Sequence, residues 1–308
     1  HLAKSNANET GILLEILLEN KWRNPRHCYP VWDTVVWEKV HFQENLDSYL
    51  NTTMDSAVTQ DDRIISIHCY QQTTEIHYTF KAKIFIDATG HGTLGFKAGA
   101  EYRIGSESTY EFGEPNAPEE ANSVTMGNTI MFQAVDLGHP VEFKKPFWAH
   151  TLTEEDLKYR KHYNVTTAMA DMGVDSEFSE GELKALPEFS RVDSGYWWIE
   201  VGGELDDIIG NGEAIRDDLL AYVYGVWDHI KNCGDHGAQN YELSWVGSVP
   251  GYRESRRLVG DYLLTEHDVR ANRIFEDAVA YGGWPMDEHV KGGVKATDKL
   301  PARILNFD

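Results

Sequence analysis

The sequence has few cysteines and no close cysteine pair. The three cysteines, Cys28, Cys69 and Cys233, are far apart in the 308 residues, and no C-x-x-C occurs. This pattern indicates neither a zinc ribbon nor a disulfide framework, so we expect three buried free thiols. No apolar run approaches the ~18 residues of a membrane-spanning helix. The longest apolar runs have only the length of strands.

Positive charge is also scarce. The chain has 28 Lys and Arg residues against 50 Asp and Glu residues, which gives a formal net charge of −22. A general nucleic-acid binder or a protein of anionic membrane surfaces needs basic surface, so we expect no nucleic-acid partner and no membrane partner. Hydrophobic residues make up 41% and aromatic residues 12%, which indicates a globular chain rather than a disordered one.

No metal site is predicted. H-E-x-x-H is absent, and the 13 histidines show no tight ligand spacing. The segments DEH at residues 287–289 and DH at residues 235–236 contain ligand types, but we interpret them as ordinary surface residues. The acid pairs at residues 154–155 and 217–218 are interpreted as solvated charge on exposed helical faces, rather than as the acid and base of a hydrolase.

The first motif with chemical content is a literal G-x-G-x-x-G formed by Gly90, Gly92 and Gly95, which follows the apolar run at residues 84–88. In the dinucleotide-binding fingerprint, such glycines admit a pyrophosphate, and a long helix and a later acidic strand end must follow. Here two later glycines interrupt any helix after about two turns. The next acidic residues come too early, so we do not interpret the match as the fingerprint.

Apolar and polar residues alternate over two runs, RIISIHCY and EIHYTF. The alternation predicts a β meander within residues 46–89, with turns at QDDR (60–63) and QQTTE (71–75). The apolar run at residues 84–88 is expected to add one more strand.

Helical periodicity predicts a helix over residues 9–20 behind a possible N-cap at Asn8, and the clearest helix of the chain over residues 211–234. Residues 31–40 have a mixed pattern without a clear period. The remaining predictions are short helices capped at Thr153 and Ser179, a helix through residues 276–283, and strands at residues 129–137, 195–203 and 256–265.

Three arginines, Arg253, Arg256 and Arg257, lie within five residues of a chain that has few cations. Like charges so close together repel each other unless negative charge lies among them. Two interpretations stay open. Nearby acids such as Glu254 and Asp261 neutralise the arginines, or the arginines bind an anion, because guanidinium groups suit phosphate and carboxylate.

Three segments carry a resemblance to a known family: FIDATGHGTLGFKAGAEYRIG (85–105), PGYRESRRLVGDYLLTEHDV (250–269) and FEDAVAYGGWPMDEH (275–289). With ETGILLEIL near the start and WDHIKN at residues 227–232, their order over nearly the whole chain resembles the FAD-dependent oxidoreductases of the glutathione-reductase-type fold. The resemblance is strongest to a bacterial subgroup, and the arginine-rich segment is its most specific motif.

This resemblance implies an α/β fold, which in the present residues amounts to α+β. It implies part of a three-layer FAD/NAD(P)-binding domain with a β meander, plus a mixed substrate-side domain. FAD is the implied cofactor, and the turn after residues 84–88 becomes the second flavin-contacting turn. The implied cofactor-binding residues are Ala88, Thr89, Gly90, Gly92, Arg253 and Glu254, and the implied catalytic residues are Arg253, Arg256 and Arg257.

The family pattern also suggests a domain organisation. We expect residues 1–105 to hold the remainder of the FAD-binding domain, residues 106–250 an inserted substrate or cap domain, and residues 251–308 a return segment. The family's first G-x-G-x-x-G unit and its final flavin-closing segment are not found in the sequence. The chain is therefore expected to be an internal fragment that is inactive and colourless when isolated.

The expected function is flavin-mediated redox of a small polar or carbohydrate-like substrate. Reduced flavin carries negative charge near N1 and O2, so an arginine would favour reduction there or hold a substrate carboxylate. The alternative is a non-catalytic glycan-binding or interaction module, suggested by the meander and by the tryptophans of YWWIE (196–200). Core aromatics on a strand are the favoured interpretation of that segment.

Overall fold

A computed structural model describes residues 11–25, 28–162, 195–205, 207–279 and 286–305. The chain forms two compact units. Of the described residues, unit 1 contains those within Gly105–Ser255 and Thr265–Asp308, and unit 2 contains those within Ser5–Ile104 and Arg256–Leu264. The mixture of helices and strands fits an α/β fold.

Helices and strands alternate irregularly along the described residues. In chain order the elements are α1 (Gly11–Arg23), α2 (Tyr29–His41), β1 (Thr52–Gln60), β2 (Arg63–Gln71), β3 (Ile76–Phe80), α3 (Thr93–Lys97), β4 (Tyr102–Arg103), α4 (Thr109–Phe112), β5 (Asn128–Thr129), β6 (Phe132–Asp136), α5 (Glu154–Leu157), β7 (Glu200–Val201), α6 (Gly212–Asn232), β8 (Tyr241–Val246), β9 (Arg257–Leu258), α7 (Glu266–Arg270), β10 (Met286–His289), a 3-10 helix (Gly293–Lys295) and β11 (Ala302–Leu305).

The predicted β meander is confirmed in unit 2. Strands β1, β2 and β3 pair antiparallel in that order. Asp61 and Asp62 turn the chain between β1 and β2 with φ of 49° and 59°. A two-residue turn with two positive φ angles matches the twist of the flanking strands, and Asp tolerates that conformation.

The strand expected at residues 84–88 does not form, and this prediction is wrong. Ile84 and Ile86 are 78% and 85% exposed, and no strand among the described residues pairs with the segment. A lone extended segment has no ladder of hydrogen bonds to hold it as a strand. The backbone therefore reaches the glycine turn as an irregular segment.

The start of unit 2 is more helical than predicted. Helix α1 confirms the predicted helix, although Asn8 lies outside the described residues. The mixed segment at residues 31–40 belongs to α2, where Pro30 occupies the first turn. Proline suits that position because its missing N–H has no partner in a first turn. Arg23 forms an ion pair with Glu38 that joins the two helices.

Unit 1 is built around α6, which confirms the clearest helix prediction. Its apolar face packs on the paired strands β6 and β8 and on the residues around β7. The aromatic segment YWWIE supplies core side chains, as favoured from the sequence. The buried core residues are Ile130, Phe132, Ala134, Leu157, Tyr196, Trp198, Ile199, Val201, Ile208, Ile215, Leu219, Val223, Val226, Trp227, Ile230, Ala238 and Val294.

Arg160 is a buried arginine of unit 1, with 2% of its surface exposed. Its guanidinium donates hydrogen bonds to the backbone carbonyls of Gly293, Ala296 and Lys299. Burial lowers the pKa of Arg160. The three carbonyls satisfy donors that would otherwise be costly to bury.

Several local predictions need correction. The segments at residues 195–203 and 256–265 contain strands of only two residues each, β7 and β9. Residues 276–279, where a helix was expected, are not helical in the described part, and the segment around Ser179 lies outside it. Only Cys69 is a buried thiol, because Cys28 is partly exposed and Cys233 exposed. None of the described helices is long and apolar enough to span a membrane.

Candidate functional site

The turn that follows residues 84–88 is organised by the carboxylate of Asp87. Its oxygens accept hydrogen bonds from the N–H and the hydroxyl of Thr89 at 3.0 and 2.7 Å, and from the N–H of Gly95 at 2.9 Å. The hydroxyl oxygen of Thr89 accepts from the N–H of Thr93 at 2.8 Å. Burial raises the pKa of Asp87, but these hydrogen bonds lower it by more, so the carboxyl stays ionised below its ordinary pKa.

Gly90 and Gly92 both have positive φ, 79° and 59°, but their surroundings differ. A Cβ atom on Gly90 would meet nothing within 4 Å, whereas one on Gly92 would lie 3.2 Å from the side chain of Leu258. The glycine at position 92 is therefore explained by conformation and packing. The open space at Gly90 leaves room for a ligand.

The residues of this turn fit a flavin that lies against the backbone. Ala88, Thr89 and Gly90 are exposed, so their backbone is accessible to a planar ring. The helix that follows, α3, has five residues, which is too short to bind a pyrophosphate through its dipole. This short helix agrees with the interpretation that the literal G-x-G-x-x-G is not the dinucleotide fingerprint.

Two of the three clustered arginines belong to unit 2. The Nε of Arg256 donates to the carbonyl of His91 at 2.9 Å, and its guanidinium lies 4.1 Å from the ring centroid of Phe96. Arg257 lies in β9, directly opposite Arg103 of β4. The contacts of Arg256 hold together the residues that follow the turn.

Arg253 and Glu254 belong to unit 1. The Nη1 of Arg253 lies 3.5 Å from the hydroxyl oxygen of Thr129 and 3.9 Å from Oε2 of Glu200. Glu254 accepts a hydrogen bond from the backbone N–H of Met126 at 3.1 Å. The carboxylate beside Arg253 thus belongs to Glu200, which is distant in the sequence. Both polar contacts of Arg253, to Thr129 and to Glu200, are long.

Glu200 links Arg253 to a histidine that sequence reasoning did not connect with it. Its carboxylate accepts from the N–H of Gly127 at 2.6 Å and lies 2.7 Å from Nδ1 of His289, whose Nε2 lies 3.3 Å from Asp287. Glu200 is 3% exposed. A continuous polar network in unit 1 therefore connects four side chains, those of Asp287, His289, Glu200 and Arg253.

The interpretation of the DEH and DH segments as surface residues is wrong for their histidines. His236 is 4% exposed, and the side chain of His289 is 3% exposed. Their partners lie far away in the chain, so spacing alone contains no signal for them. In the sequence, Glu200 is only the acidic residue at the end of the aromatic segment YWWIE, and nothing in that segment indicates its partners.

A family model described as FAD dependent oxidoreductase matches residues 2–304. No curated protein and no solved structure matched the sequence significantly.

Proposed function

The chain belongs to the FAD-dependent oxidoreductase family, and on this premise we propose that it carries out the flavin-mediated redox of a small polar or carbohydrate-like molecule. FAD is its cofactor, which confirms the prediction from the sequence. Its reaction is a flavin-linked oxidation or reduction, and its substrate is a small molecule. When bound, the flavin supplies hydride or single-electron transfer, and the protein supplies binding, orientation and electrostatics.

Unit 2 would contact the flavin through Ala88, Thr89, Gly90 and Gly92. The observation that carries this proposal is the open space at Gly90 in a turn that Asp87 holds in place. A backbone without a Cβ atom allows a ring to approach closely. Because Asp87 fixes the turn before any ligand arrives, the flavin would bind to a preorganised surface.

Unit 1 would bind a negatively charged group of the substrate or cofactor through Arg253, with Glu254 fixing the local backbone. The polar contacts of Arg253 are long, at 3.5 and 3.9 Å, so a carboxylate or phosphate can form shorter and stronger ones. Glu200 and His289 would orient the guanidinium. We also propose that residues 106–250 form the substrate side and that residues 1–105 belong to the flavin domain, whereas the expected return segment at residues 251–308 is divided between the two units.

Arg256 and Arg257, proposed as catalytic from the sequence, differ from Arg253 in their surroundings. Arg256 is engaged by His91 and Phe96, which supports a role in holding the flavin turn. The glycan-binding alternative is not favoured, because Trp198 is buried in the core and Trp197 packs partly buried against it. An exposed aromatic platform at this segment would be needed to stack on a sugar.

Gly90→Val tests the flavin turn, with Gly99→Val as its matched control. Both glycines have positive φ and open space at the Cβ position, so both substitutions impose the same kind of backbone strain. In the full-length protein we expect Gly90→Val to weaken FAD binding by about tenfold or more, while Gly99→Val does not. The measurement is flavin retained after ultrafiltration, with flavin fluorescence as a second readout. Equal losses in both variants would contradict the proposed contact at Gly90.

A further inference from the structure

Four potential metal ligands of unit 1 come together away from the flavin turn: Glu154, His162, His229 and His236. One ring nitrogen of each histidine and one oxygen of the carboxylate all lie within 4.8 Å of one another. The histidine side chains are 1–4% exposed, whereas that of Glu154 is 53% exposed. The cluster is therefore a buried group of rings with one carboxylate at its solvent side.

The carboxylate of Glu154 is the centre of this histidine cluster. Its Oε2 lies 3.0 Å from Nε2 of His229, and its Oε1 lies 3.4 Å from Nε2 of His162. In a tetrahedral zinc site with bonds of about 2.0–2.1 Å, the ligand atoms lie roughly 3.3–3.4 Å apart. The distances from the carboxylate to His229 and His162 are close to that value, and all four ligand atoms lie within 4.8 Å of one another.

Backbone carbonyls fix one nitrogen of each ring. The Nδ1 atoms of His162 and His229 lie 2.5 and 3.0 Å from the carbonyl oxygens of Arg160 and Leu152. A carbonyl only accepts, so each Nδ1 donates to it, and Nε2 is the ring nitrogen that faces the carboxylate, where it shares a proton with Glu154 or binds a cation in place of that proton. In His236 it is Nε2 that lies 2.9 Å from the carbonyl of Cys233, so Nδ1 carries the lone pair. Carbonyls that bind the second nitrogen are a common feature of histidine metal ligands.

We propose that Glu154, His162, His229 and His236 bind one zinc ion, or a similar divalent transition metal. A divalent cation at the centre of the cluster would replace the protons that the imidazoles and the carboxylate otherwise share, and would form four bonds. Three imidazoles and one carboxylate match the donor types and the coordination number of zinc. Because four protein ligands close the site, its role is structural rather than catalytic.

The fold holds these ligands in place before a metal arrives. Glu154 begins α5, whose N-cap Thr153 forms a capping box with Asp156. His229 lies in the last turn of α6 and His236 shortly after its end. A bound metal would join the end of α6 to the segment that contains α5 and His162, and would stabilise this part of unit 1.

Metal analysis tests the proposal directly. We expect the purified full-length protein, dialysed against metal-free buffer, to retain about one zinc ion per chain. After chelation, added zinc should raise the melting temperature, and added cobalt should give the visible absorption bands of a tetrahedral site. A protein that retains no zinc, gains no stability with zinc and gives no tetrahedral cobalt spectrum would overturn the proposal, and the cluster would then be a proton-shared network.

Glu154→Gln and its neighbour Glu155→Gln form a matched pair. Glu155 belongs to the same helical turn, but it pairs with Lys158 on the surface. Glu154→Gln should weaken zinc binding more than about tenfold, since even loss of an outer-shell partner costs ~10–100-fold. Glu155→Gln and His139→Asn, which changes an exposed histidine, should bind zinc like the wild type. Zinc binding that is unchanged in Glu154→Gln and His236→Asn would place the metal elsewhere and refute the assignment.

Discussion

The guanidinium of Arg256 stacks on the ring of Phe96, with Cζ 4.1 Å from the ring centroid, while its Nε binds the carbonyl of His91. Phe96 belongs to α3, and His91 lies in the turn before it. Arg256, which belongs to the arginine-rich motif, thus connects the glycine turn to α3. Stacking of this kind depends on the planar guanidinium, which lysine does not supply.

We predict that Arg256→Met lowers the free energy of unfolding of unit 2 by about 1–3 kcal/mol, since it removes both the cation–π contact and a charged hydrogen bond to a carbonyl. Denaturant unfolding of the apoprotein measures the change. The control is Arg216→Met on α6, where the arginine pairs with neighbouring surface acids, and a change within about 1 kcal/mol is expected. Unchanged stability with a loss of flavin binding would identify Arg256 as a cofactor ligand instead.

Arg253→Met should act in the opposite way. Its contacts to Glu200 and Thr129 are long, so we expect little change in melting temperature. If the guanidinium binds an anionic group during the reaction, turnover or flavin affinity falls about tenfold or more, because charge-assisted contacts contribute roughly 1.5–3 kcal/mol. Steady-state kinetics and flavin titration of the full-length enzyme measure this.

Arg273→Met serves as the control for Arg253, since Arg273 is half exposed and pairs with Asp268. It should leave turnover unchanged. A large loss of stability in Arg253→Met, with turnover and flavin binding intact, would mean that this arginine only neutralises the buried Glu200.

The stability of unit 2 should fall as the pH is lowered, in part through His91. Burial, and then the nearby Arg256 guanidinium, lower the pKa of this imidazole below its ordinary value. From about pH 6.5 downwards the unfolded chain therefore binds a proton at this histidine, while the folded chain does not. The free energy of unfolding falls as the pH is lowered through this range, until the pH passes the lower pKa of the folded state. Above about pH 6.5 both states are neutral, and the effect vanishes.

NMR titration of the His91 ring measures its pKa directly, and denaturant unfolding of wild type and His91→Gln at several pH values isolates its share of the pH dependence. Arg256→Met should raise the pKa of His91, because the positive charge is removed. A His91 pKa at or above the ordinary value in the wild type would contradict the prediction.

Two glycines of α6 allow a paired test of packing in unit 1. A Cβ atom on Gly225 would lie 2.6 Å from the backbone carbonyl oxygen of His150, which cannot move like a side chain, whereas one on Gly212 would meet nothing within 4 Å. Alanine usually stabilises a helix relative to glycine by about 1 kcal/mol. We expect Gly225→Ala to destabilise by about 1–3 kcal/mol and Gly212→Ala to be neutral or stabilising. Thermal unfolding of both variants measures the difference. Equal effects would show that the backbone at His150 moves to accommodate the added Cβ atom.

Periodicity predicted the elements that depend on local pattern. The meander and α6 have strong periods of two and 3.6 residues, and each is accompanied by turn or stop signals such as Asp61–Asp62 and Gly234. Helix α2 was not predicted, because tryptophans and valines on several faces obscure its period. The strand at residues 84–88 was predicted wrongly, since its apolar character is real but strand formation requires a partner.

The polar networks illustrate a different limit. Glu200 and His289 are 89 residues apart, and Glu154 and His229 are 75 apart, yet both pairs are in contact. Their proximity follows from the packing of unit 1, which no local spacing encodes. The sequence motif instead suggested one arginine cluster, whereas Arg253 belongs to one unit and Arg256 to the other.

The three carbonyls bound by Arg160 have a consequence for how unit 1 opens. One side chain closes a loop of more than a hundred residues between α5 and the chain beyond the 3-10 helix. Closing so long a loop costs more entropy than closing a short one, although the cost grows only slowly with loop length. Local unfolding of residues 293–299 would expose the buried guanidinium of Arg160 and break its hydrogen bonds. Opening of this segment alone therefore has a high free-energy cost. We therefore expect residues 293–299 and the segment around Arg160 to open as one cooperative unit.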